Sequence, residues 1–205
     1  MAFSDDGTRV VSGSFDCEVR IWNATTGEME RLLQGHSSVV WSVAFSSDGT
    51  RVVSSSDELS VLIWDTNTGE INCVLDGHLS HVTSVALSHD GTCVISGSED
   101  HSVHIWNANT GERDSLLEGH SGRVSSVAIS RDGTRVVSGS VDNSVRIWNA
   151  ITREIESVLV EHTGPVSSVA ISHDGTRGFW CWGHDSASLE CNDRRAGAHS
   201  QRSFA

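Results

Sequence analysis

The sequence predicts an all-β fold made of repeated four-stranded antiparallel units. Three patterns recur along the 205-residue chain with the same spacing in sequence: a tryptophan, an aspartate followed by Gly-Thr, and a histidine. Their positions are Trp22, Trp64, Trp106 and Trp148; Asp6, Asp48, Asp90, Asp132 and Asp174; and His36, His78, His120 and His162. Because all three patterns share this spacing, the sequence predicts a chain of stacked supersecondary units. Abundant Ser, Thr, Val and Gly favour short strands and tight turns.

The unit that starts at His78 shows what one repeat contains. "VTSVALS" alternates with the two-residue period of a strand, and "HDGT" after it is a tight turn with a glycine that tolerates positive φ. "CVISGS" and "SVHIWN" are the second and third strands. The turn "NANTGE" precedes a weaker fourth strand, "RDSLLE". Four antiparallel strands in about 42 residues match one blade of a β-propeller.

This register divides the chain into blades. The segments are an incomplete first blade without most of its inner strand (1–34), three full blades (35–76, 77–118 and 119–160), the start of a fifth blade (161–177) and an aberrant tail (178–205). About four units predict a partial propeller that forms an open arc or is completed by another chain. A closed four-blade ring remains an alternative, because residues 166–172 are the type of inner strand that the first blade lacks.

The tail departs abruptly from the repeat. The period places a fifth tryptophan at residue 190, where the chain has glutamate. Back-translation of residues 189–195 in another frame permits "WNATTGE", which is the sequence of residues 22–28. We therefore interpret residues 178–205 as a frameshifted repeat and expect them to be disordered.

Composition narrows the classes of function. The net charge is −13, with 27 acidic and 14 basic residues, which disfavours binding to nucleic acid. Neither a signal peptide nor an apolar run of about 18 residues is visible, so no membrane association is expected. The five cysteines form no CxxC pair, which favours reduced thiols in an intracellular protein, cytoplasmic or nuclear.

Several residues carry a resemblance to a known family. Gly77-His78, the "SGSED" turn and the Trp106-Asn107 pair resemble the WD-repeat family, and the second repeat has the literal pair Trp64-Asp65. The resemblance covers about residues 1–177. The near-identity of the repeats resembles fungal-type repeat arrays, including those attached to NACHT-type NTPase domains.

The resemblance implies a hydrogen-bonded tetrad in each blade, running from Trp to Ser, Ser to His and His to Asp. A buried indole N–H and a buried imidazole both need partners. The implied sets are His36, Ser54, Glu58 and Trp64; His78, Ser96, Asp100 and Trp106; and His120, Ser138, Asp142 and Trp148. In the second blade glutamate stands in the aspartate position, and the preceding Asp57 is an alternative. The first blade offers the partial set Ser12, Asp16 and Trp22.

Two specific chemical roles, a catalytic triad and a metal site, are disfavoured. His, Asp and Ser are the residue types of a hydrolase triad, but a trio that recurs in repeat after repeat suits a scaffold rather than one catalytic site. His78-x-x-His81 and His101-x-x-His104 have the spacing of metal ligands. The repeat explains His78 as a tetrad residue, and His104 occupies a strand position that we expect to face outward. No metal site, cofactor or enzymatic activity is therefore predicted.

Positions that vary between blades are the candidates for partner binding. Trp41 is the outlier among them, because the other blades have Thr or Ser at this place, and a large exposed aromatic is a good binding anchor. The alternatives are that Trp41 packs into the central channel or that it reflects drift in an unselected copy of the repeat. The full candidate set is Trp41, Phe15, Asp57, His81, Glu99 and Arg123.

The leading functional hypothesis is a non-catalytic protein-interaction scaffold that forms part of a larger repeat protein. The alternatives are the ligand-sensing region of an NTPase-linked (NACHT-type) regulatory protein and a truncated product without a function of its own. The expected partner is a protein or peptide, whose identity the sequence does not specify.

Overall fold

The computed structural model describes residues 1–172, 180–183 and 189–190. Its strands form five antiparallel sheets, which we call blades 1 to 5. Blade 1 contains β1 (Ala2–Phe3), β2 (Arg9–Gly13), β3 (Val19–Asn23) and β4 (Met29–Leu33). Blade 2 contains β5 (Val40–Phe45), β6 (Arg51–Ser56), β7 (Ser60–Asp65) and β8 (Ile71–Asp76). Blade 3 contains β9 (Val82–Leu87), β10 (Cys93–Ser98), β11 (Val103–Asn107) and β12 (Arg113–Leu117).

Blade 4 contains β13 (Val124–Ile129), β14 (Arg135–Ser140), β15 (Val145–Asn149) and β16 (Ile155–Leu159). Blade 5 contains β17 (Val166–Ala170), β18 (Trp180–Gly183) and β19 (Leu189–Glu190). Strand order follows chain order in every blade, so each blade is a meander. The predicted all-β architecture of four-stranded antiparallel blades is therefore confirmed. Among the described residues, no helix has the length and apolar character needed to cross a bilayer.

Apolar side chains fill the space between neighbouring blades. The tryptophans of blades 2, 3 and 4 each share a buried cluster with apolar residues of the preceding blade; Trp106 of blade 3, for example, lies with Val53 and Val61 of blade 2. The alternating pattern of each strand produces this arrangement, because alternate side chains point to opposite faces and both faces of an inner blade are covered. The core is thus a series of blade-to-blade junctions rather than a single centre.

A side-chain hydrogen bond repeats between the innermost strands. Ser42 Oγ accepts from the Val85 N–H at 3.2 Å, and Ser84 Oγ accepts from the Val127 N–H at 3.1 Å. Ser126 Oγ accepts from the Val169 N–H at 3.2 Å. Three successive junctions therefore have the same polar contact, which fixes the position of each blade against the next.

The blades contact one another in chain order and form an open arc among the described residues. This arrangement confirms the predicted open architecture. The aberrant tail that we predict over residues 178–205 lies largely outside the described residues, so its expected disorder stays a prediction. Within it the structure places β18, which pairs antiparallel with β17, and β19, which pairs antiparallel with β18.

The turn between the second and third strands of each blade requires one residue in the left-handed region. The residue after the tetrad acid has φ between 66° and 72° in blades 1 to 4, and it is Cys17, Leu59, His101 or Asn143. Asparagine tolerates this region well, whereas a bulky side chain such as leucine brings Cβ too close to the backbone. Leu59 is the least suited of the four residues.

We expect Leu59→Asn to raise the free energy of unfolding by about 0.5 to 1 kcal/mol, because it removes part of the left-handed strain. Urea unfolding followed by circular dichroism measures the change. Asn143→Leu is the reciprocal control and should lower stability by a similar amount. Equal stabilities of both variants and the parent would contradict the assignment of strain to Leu59.

Candidate functional site

Blades 3 and 4 each contain a complete buried hydrogen-bond chain. In blade 3 the Trp106 indole N–H donates to Ser96 Oγ at 2.7 Å, and Ser96 Oγ lies 2.7 Å from His78 Nε2. His78 Nδ1 lies 2.8 Å from Asp100 Oδ2. Because a carboxylate only accepts, Nδ1 has the proton and Nε2 accepts from the serine hydroxyl. Each polar atom along the chain therefore has a partner.

Blade 4 repeats this geometry with Trp148, Ser138, His120 and Asp142. The corresponding distances are 2.8 Å from Trp148 Nε1 to Ser138 Oγ, 2.7 Å from Ser138 Oγ to His120 Nε2 and 2.8 Å from His120 Nδ1 to Asp142 Oδ2. The Asp142 carboxylate also accepts from the backbone N–H groups of Ser121 and Ser144. The tetrad thus connects two strands and two loops of one blade.

Blade 2 uses its glutamate in the same place. Glu58 Oε1 lies 2.6 Å from His36 Nδ1, and His36 Nε2 lies 2.7 Å from Ser54 Oγ. The longer Glu58 side chain also reaches Ser37. It accepts hydrogen bonds from the backbone N–H and from the hydroxyl of that residue. Asp57, the alternative for this position, instead contacts Trp41 and His81.

Blade 1 has only the first link of the chain. Trp22 Nε1 donates to Ser12 Oγ at 2.8 Å, whereas Asp16 forms an ion pair with Arg20 at 2.8 Å. Trp22 is half-buried, in contrast to the fully buried tryptophans of blades 2 to 4.

Burial and hydrogen bonding shift the pKa values of several tetrad residues. Burial lowers the pKa of His36 and of His120, against the opposing effect of their acidic partners. Burial acts to raise the pKa of Asp100, but hydrogen bonds from His78 and Ser102 outweigh it and hold that pKa well below its ordinary range. In blades 2 and 4 the lowered histidine pKa favours the neutral imidazole near pH 7, which suits a hydrogen-bonding role within the blade.

The position of His104 corrects an expectation from the sequence. The prediction that His104 faces outward is wrong: its side chain is 2% exposed and its ring stacks on His78, with centroids 3.7 Å apart and planes 11° from parallel. The register places His104 directly across the sheet from Ser96, so both residues lie on the face that His78 covers. Burial, together with the nearby His78, lowers the pKa of His104 to about 3.

These buried histidines make stability sensitive to acid. The unfolded chain protonates histidine near pH 6.5, whereas burial lowers the folded pKa of His36, His104 and His120. Stability is therefore fully present above about pH 6.5 and decreases as the pH falls below it. When the pH falls from about 7 to about 5, we expect protonation of His104 in the unfolded chain alone to lower the free energy of unfolding by about 1 to 2 kcal/mol.

Urea unfolding at the two pH values measures this loss, and His104→Leu provides the control because blade 2 has Leu62 at the equivalent position. The variant should lose less stability in acid than the parent. An identical pH dependence of both proteins would contradict the contribution of His104.

The candidate partner-binding residues lie at one end of the blades, beside the turns that contain the tetrad acids. We call Phe15, Trp41, Asp57, His81, Glu99 and Arg123 the rim cluster. Phe15 of blade 1 and Trp41 of blade 2 form an edge-to-face pair with ring centroids 5.5 Å apart. Phe15 is 75% exposed and Trp41 is 50% exposed. The Trp41 indole N–H donates to Asp57, which holds the ring in place.

Each further contact in the rim cluster crosses a blade junction. His81 of blade 3 lies 2.7 Å from the Asp57 carboxylate of blade 2, and Arg123 of blade 4 lies 3.2 Å from the Glu99 carboxylate of blade 3. Backbone hydrogen bonds within each blade link successive members of the row, since the His81 carbonyl accepts from the Glu99 N–H at 2.9 Å and the Arg123 carbonyl accepts from the Val141 N–H at 3.1 Å. The cluster therefore forms a continuous row across blades 1 to 4.

A comparison with protein families agrees with this architecture. The family model described as "WD domain, G-beta repeat" matches residues 1–23, 27–65, 69–107 and 111–149. The chain belongs to the WD-repeat family. Each match ends one residue after a tetrad tryptophan, and each match after the first begins just before the fourth strand of the preceding blade. The WD repeats are therefore offset from the blades by one strand. A search of curated proteins gives no match.

WD-repeat proteins are generally non-catalytic scaffolds that bind protein partners. The narrower resemblance to fungal NACHT-linked arrays has no support beyond the repeats themselves and stays a prediction. The cross-blade row of the rim cluster was not evident from the sequence. A spacing of 24 residues, shared by Asp57 and His81 and by Glu99 and Arg123, was the signal that would have indicated it.

Proposed function

We propose that this WD-repeat chain is a non-catalytic scaffold that binds a short protein segment across the rim cluster. The exposed Phe15–Trp41 pair is the observation that carries the proposal. Large aromatic side chains dominate the energetics of protein interfaces, because they bury much apolar area and lose little conformational entropy on binding.

The environment of Trp41 favours a binding role over simple surface exposure. Its N–H group already donates to Asp57, so the indole is held in one orientation before a partner arrives. Preorganisation of this kind reduces the entropic cost of association. The alternative in which Trp41 fills the central channel is disfavoured, because half of its surface is accessible.

The charges around the aromatic pair define the chemistry of the partner. Asp57 and Glu99 are both paired, with His81 and Arg123 respectively, and the chain has a net charge of −13. A segment with one apolar anchor for the Phe15–Trp41 pair and a flanking basic residue fits this surface best.

Selection from a random peptide library on the immobilised full chain tests the proposal. We expect enrichment of peptides that combine an aromatic or aliphatic anchor with Lys or Arg, and loss of binding by Trp41→Ala. Enriched peptides that bind Trp41→Ala as tightly as the parent would contradict the rim cluster as the site. Failure to enrich any peptide would contradict the peptide-binding function.

A further inference from the structure

Among the described residues, four buried side-chain polar atoms have no hydrogen-bond partner, and they belong to Ser55, Ser56, Arg146 and His104. His104 is the one imidazole among them. Its Nδ1 is buried and has no hydrogen-bond partner, although a lone buried polar group of this kind costs about 1 to 3 kcal/mol. Blades 1 and 4 have Arg20 and Arg146 at the equivalent position, and blade 2 has Leu62. The position therefore tolerates other side chains, and among blades 1 to 4 a histidine occurs here only in blade 3.

The surroundings of His104 bring together the donor atoms of a metal site. His78, Asp100 and His104 each offer one ligand atom, and these three atoms lie within 4.8 Å of one another. Ligands of a tetrahedral Zn²⁺ ion, at metal–ligand distances of 2.0 to 2.2 Å, lie about 3.3 Å apart. Side-chain rotation of the stacked imidazoles has to close a difference of at most about 1.5 Å.

We propose that His78, Asp100 and His104 form a binding site for a borderline divalent transition metal such as Zn²⁺ or Co²⁺. Two imidazoles and one carboxylate are typical ligands of these ions, with a water or the nearby Ser102 hydroxyl completing four-coordination. The Asp100 carboxylate offsets one positive charge of the ion. Mg²⁺ and Ca²⁺ prefer sets of oxygen ligands, so the site selects against them.

The tetrad adapts to the ion by a change of tautomer at His78. In the metal-free tetrad Nδ1 donates to Asp100 and Nε2 accepts from Ser96. Coordination by Nδ1 moves the proton to Nε2, which then donates to Ser96 Oγ. The serine oxygen then accepts from both the Trp106 N–H and the His78 N–H, its own hydrogen turns away from Nε2, and it orients the imidazole toward the metal. Asp100 lies in the turn between β10 and β11 and is partly exposed.

Blade 4 provides a matched internal control. His120 and Asp142 repeat the His78–Asp100 geometry at the same distance of 2.8 Å, but Arg146 replaces the third ligand. Blade 4 should therefore bind no metal in the parent protein. Arg146→His supplies the missing imidazole and should create a second site, whereas His104→Leu should abolish the first.

Titration of the full chain with Co²⁺, followed by the visible absorption of tetrahedral cobalt and by equilibrium dialysis with Zn²⁺, tests the proposal. We expect one tetrahedral equivalent for the parent, none for His104→Leu and two for Arg146→His, with no effect of Mg²⁺. Zn²⁺ should raise the melting temperature of the parent but not that of His104→Leu. Binding of equal stoichiometry and spectrum by the parent and His104→Leu would overturn the proposal, as would the absence of a tetrahedral spectrum in the parent.

Discussion

Replacement of Trp106 by alanine is expected to lower the free energy of unfolding by about 3 to 5 kcal/mol. Trp106 is 1% exposed and lies in the junction between blades 2 and 3 with Val53, Val61 and Leu75. The substitution removes this packing and leaves a cavity in the junction. It also removes the donor to Ser96, so the hydroxyl of the tetrad loses one of its two hydrogen bonds.

Trp22→Ala is the matched control for this variant. Trp22 makes the same hydrogen bond to a serine, at 2.8 Å to Ser12, but it is half-buried and lies outside the buried clusters of the blade junctions. We expect its loss to cost about 1 to 2 kcal/mol, less than half the effect of Trp106→Ala. Urea unfolding followed by far-ultraviolet circular dichroism measures both variants. Equal losses would show that burial at the junction does not determine the contribution of the tryptophan.

The repeat made most of the fold predictable. Its strict period fixed which segments are equivalent, and the Asp-Gly-Thr turns fixed where the strands end. In the four of these turns that the structure describes, the Asp side chain accepts from a serine two residues before it and a threonine two residues after it, as Asp48 does from Ser46 and Thr50. Such local turns depend on neighbouring residues alone, and sequence therefore predicts them well.

The behaviour of His104 shows where prediction from the sequence failed. The alternation of a strand indicates that His104 and Trp106 share a face, but the prediction treated that position as outward-facing because Arg occupies it in two other blades. Arginine reaches solvent from a largely buried position through its long stem, whereas histidine does not. Arginine and histidine point to the same face of the strand at this position. They differ in exposure because their side chains differ in length.

The rim cluster required information that no single repeat contains. Phe15, Trp41 and Asp57 belong to two blades, and their contacts depend on how far one blade rotates against the next. The sequence identified each residue as variable at its own position in the repeat, but it gave no distance between them. The structure supplies these distances, and the binding role of the cluster remains a proposal.

Trp41→Ala is expected to weaken the binding of a selected peptide by about 30-fold or more, which corresponds to about 2 kcal/mol. The variant should leave stability within about 0.5 kcal/mol of the parent, because the side chain is half exposed and lies outside the junction core. Fluorescence anisotropy of a labelled peptide measures the dissociation constant. Ile151→Ala is the control: Ile151 is 73% exposed, in the turn between β15 and β16.

That turn lies at the opposite end of blade 4 from the rim, because successive turns of a meander alternate between its two ends. Loss of an exposed apolar side chain at the far end should leave the affinity unchanged. A similar loss of affinity in Ile151→Ala and Trp41→Ala would indicate nonspecific apolar adsorption and contradict a site at the rim.

Trp41→Phe separates the two contributions that the geometry assigns to this residue. Phenylalanine keeps an apolar ring next to Phe15 but cannot donate to Asp57. If buried apolar area provides most of the affinity, the variant should lose only a few-fold. If orientation of the indole by Asp57 is decisive, Trp41→Phe and Asp57→Asn should both lose affinity, with Asp57→Asn retaining more because an amide oxygen still accepts from the indole N–H. Full retention of affinity by Trp41→Phe, together with a loss in Trp41→Ala, would assign the anchor to ring area alone.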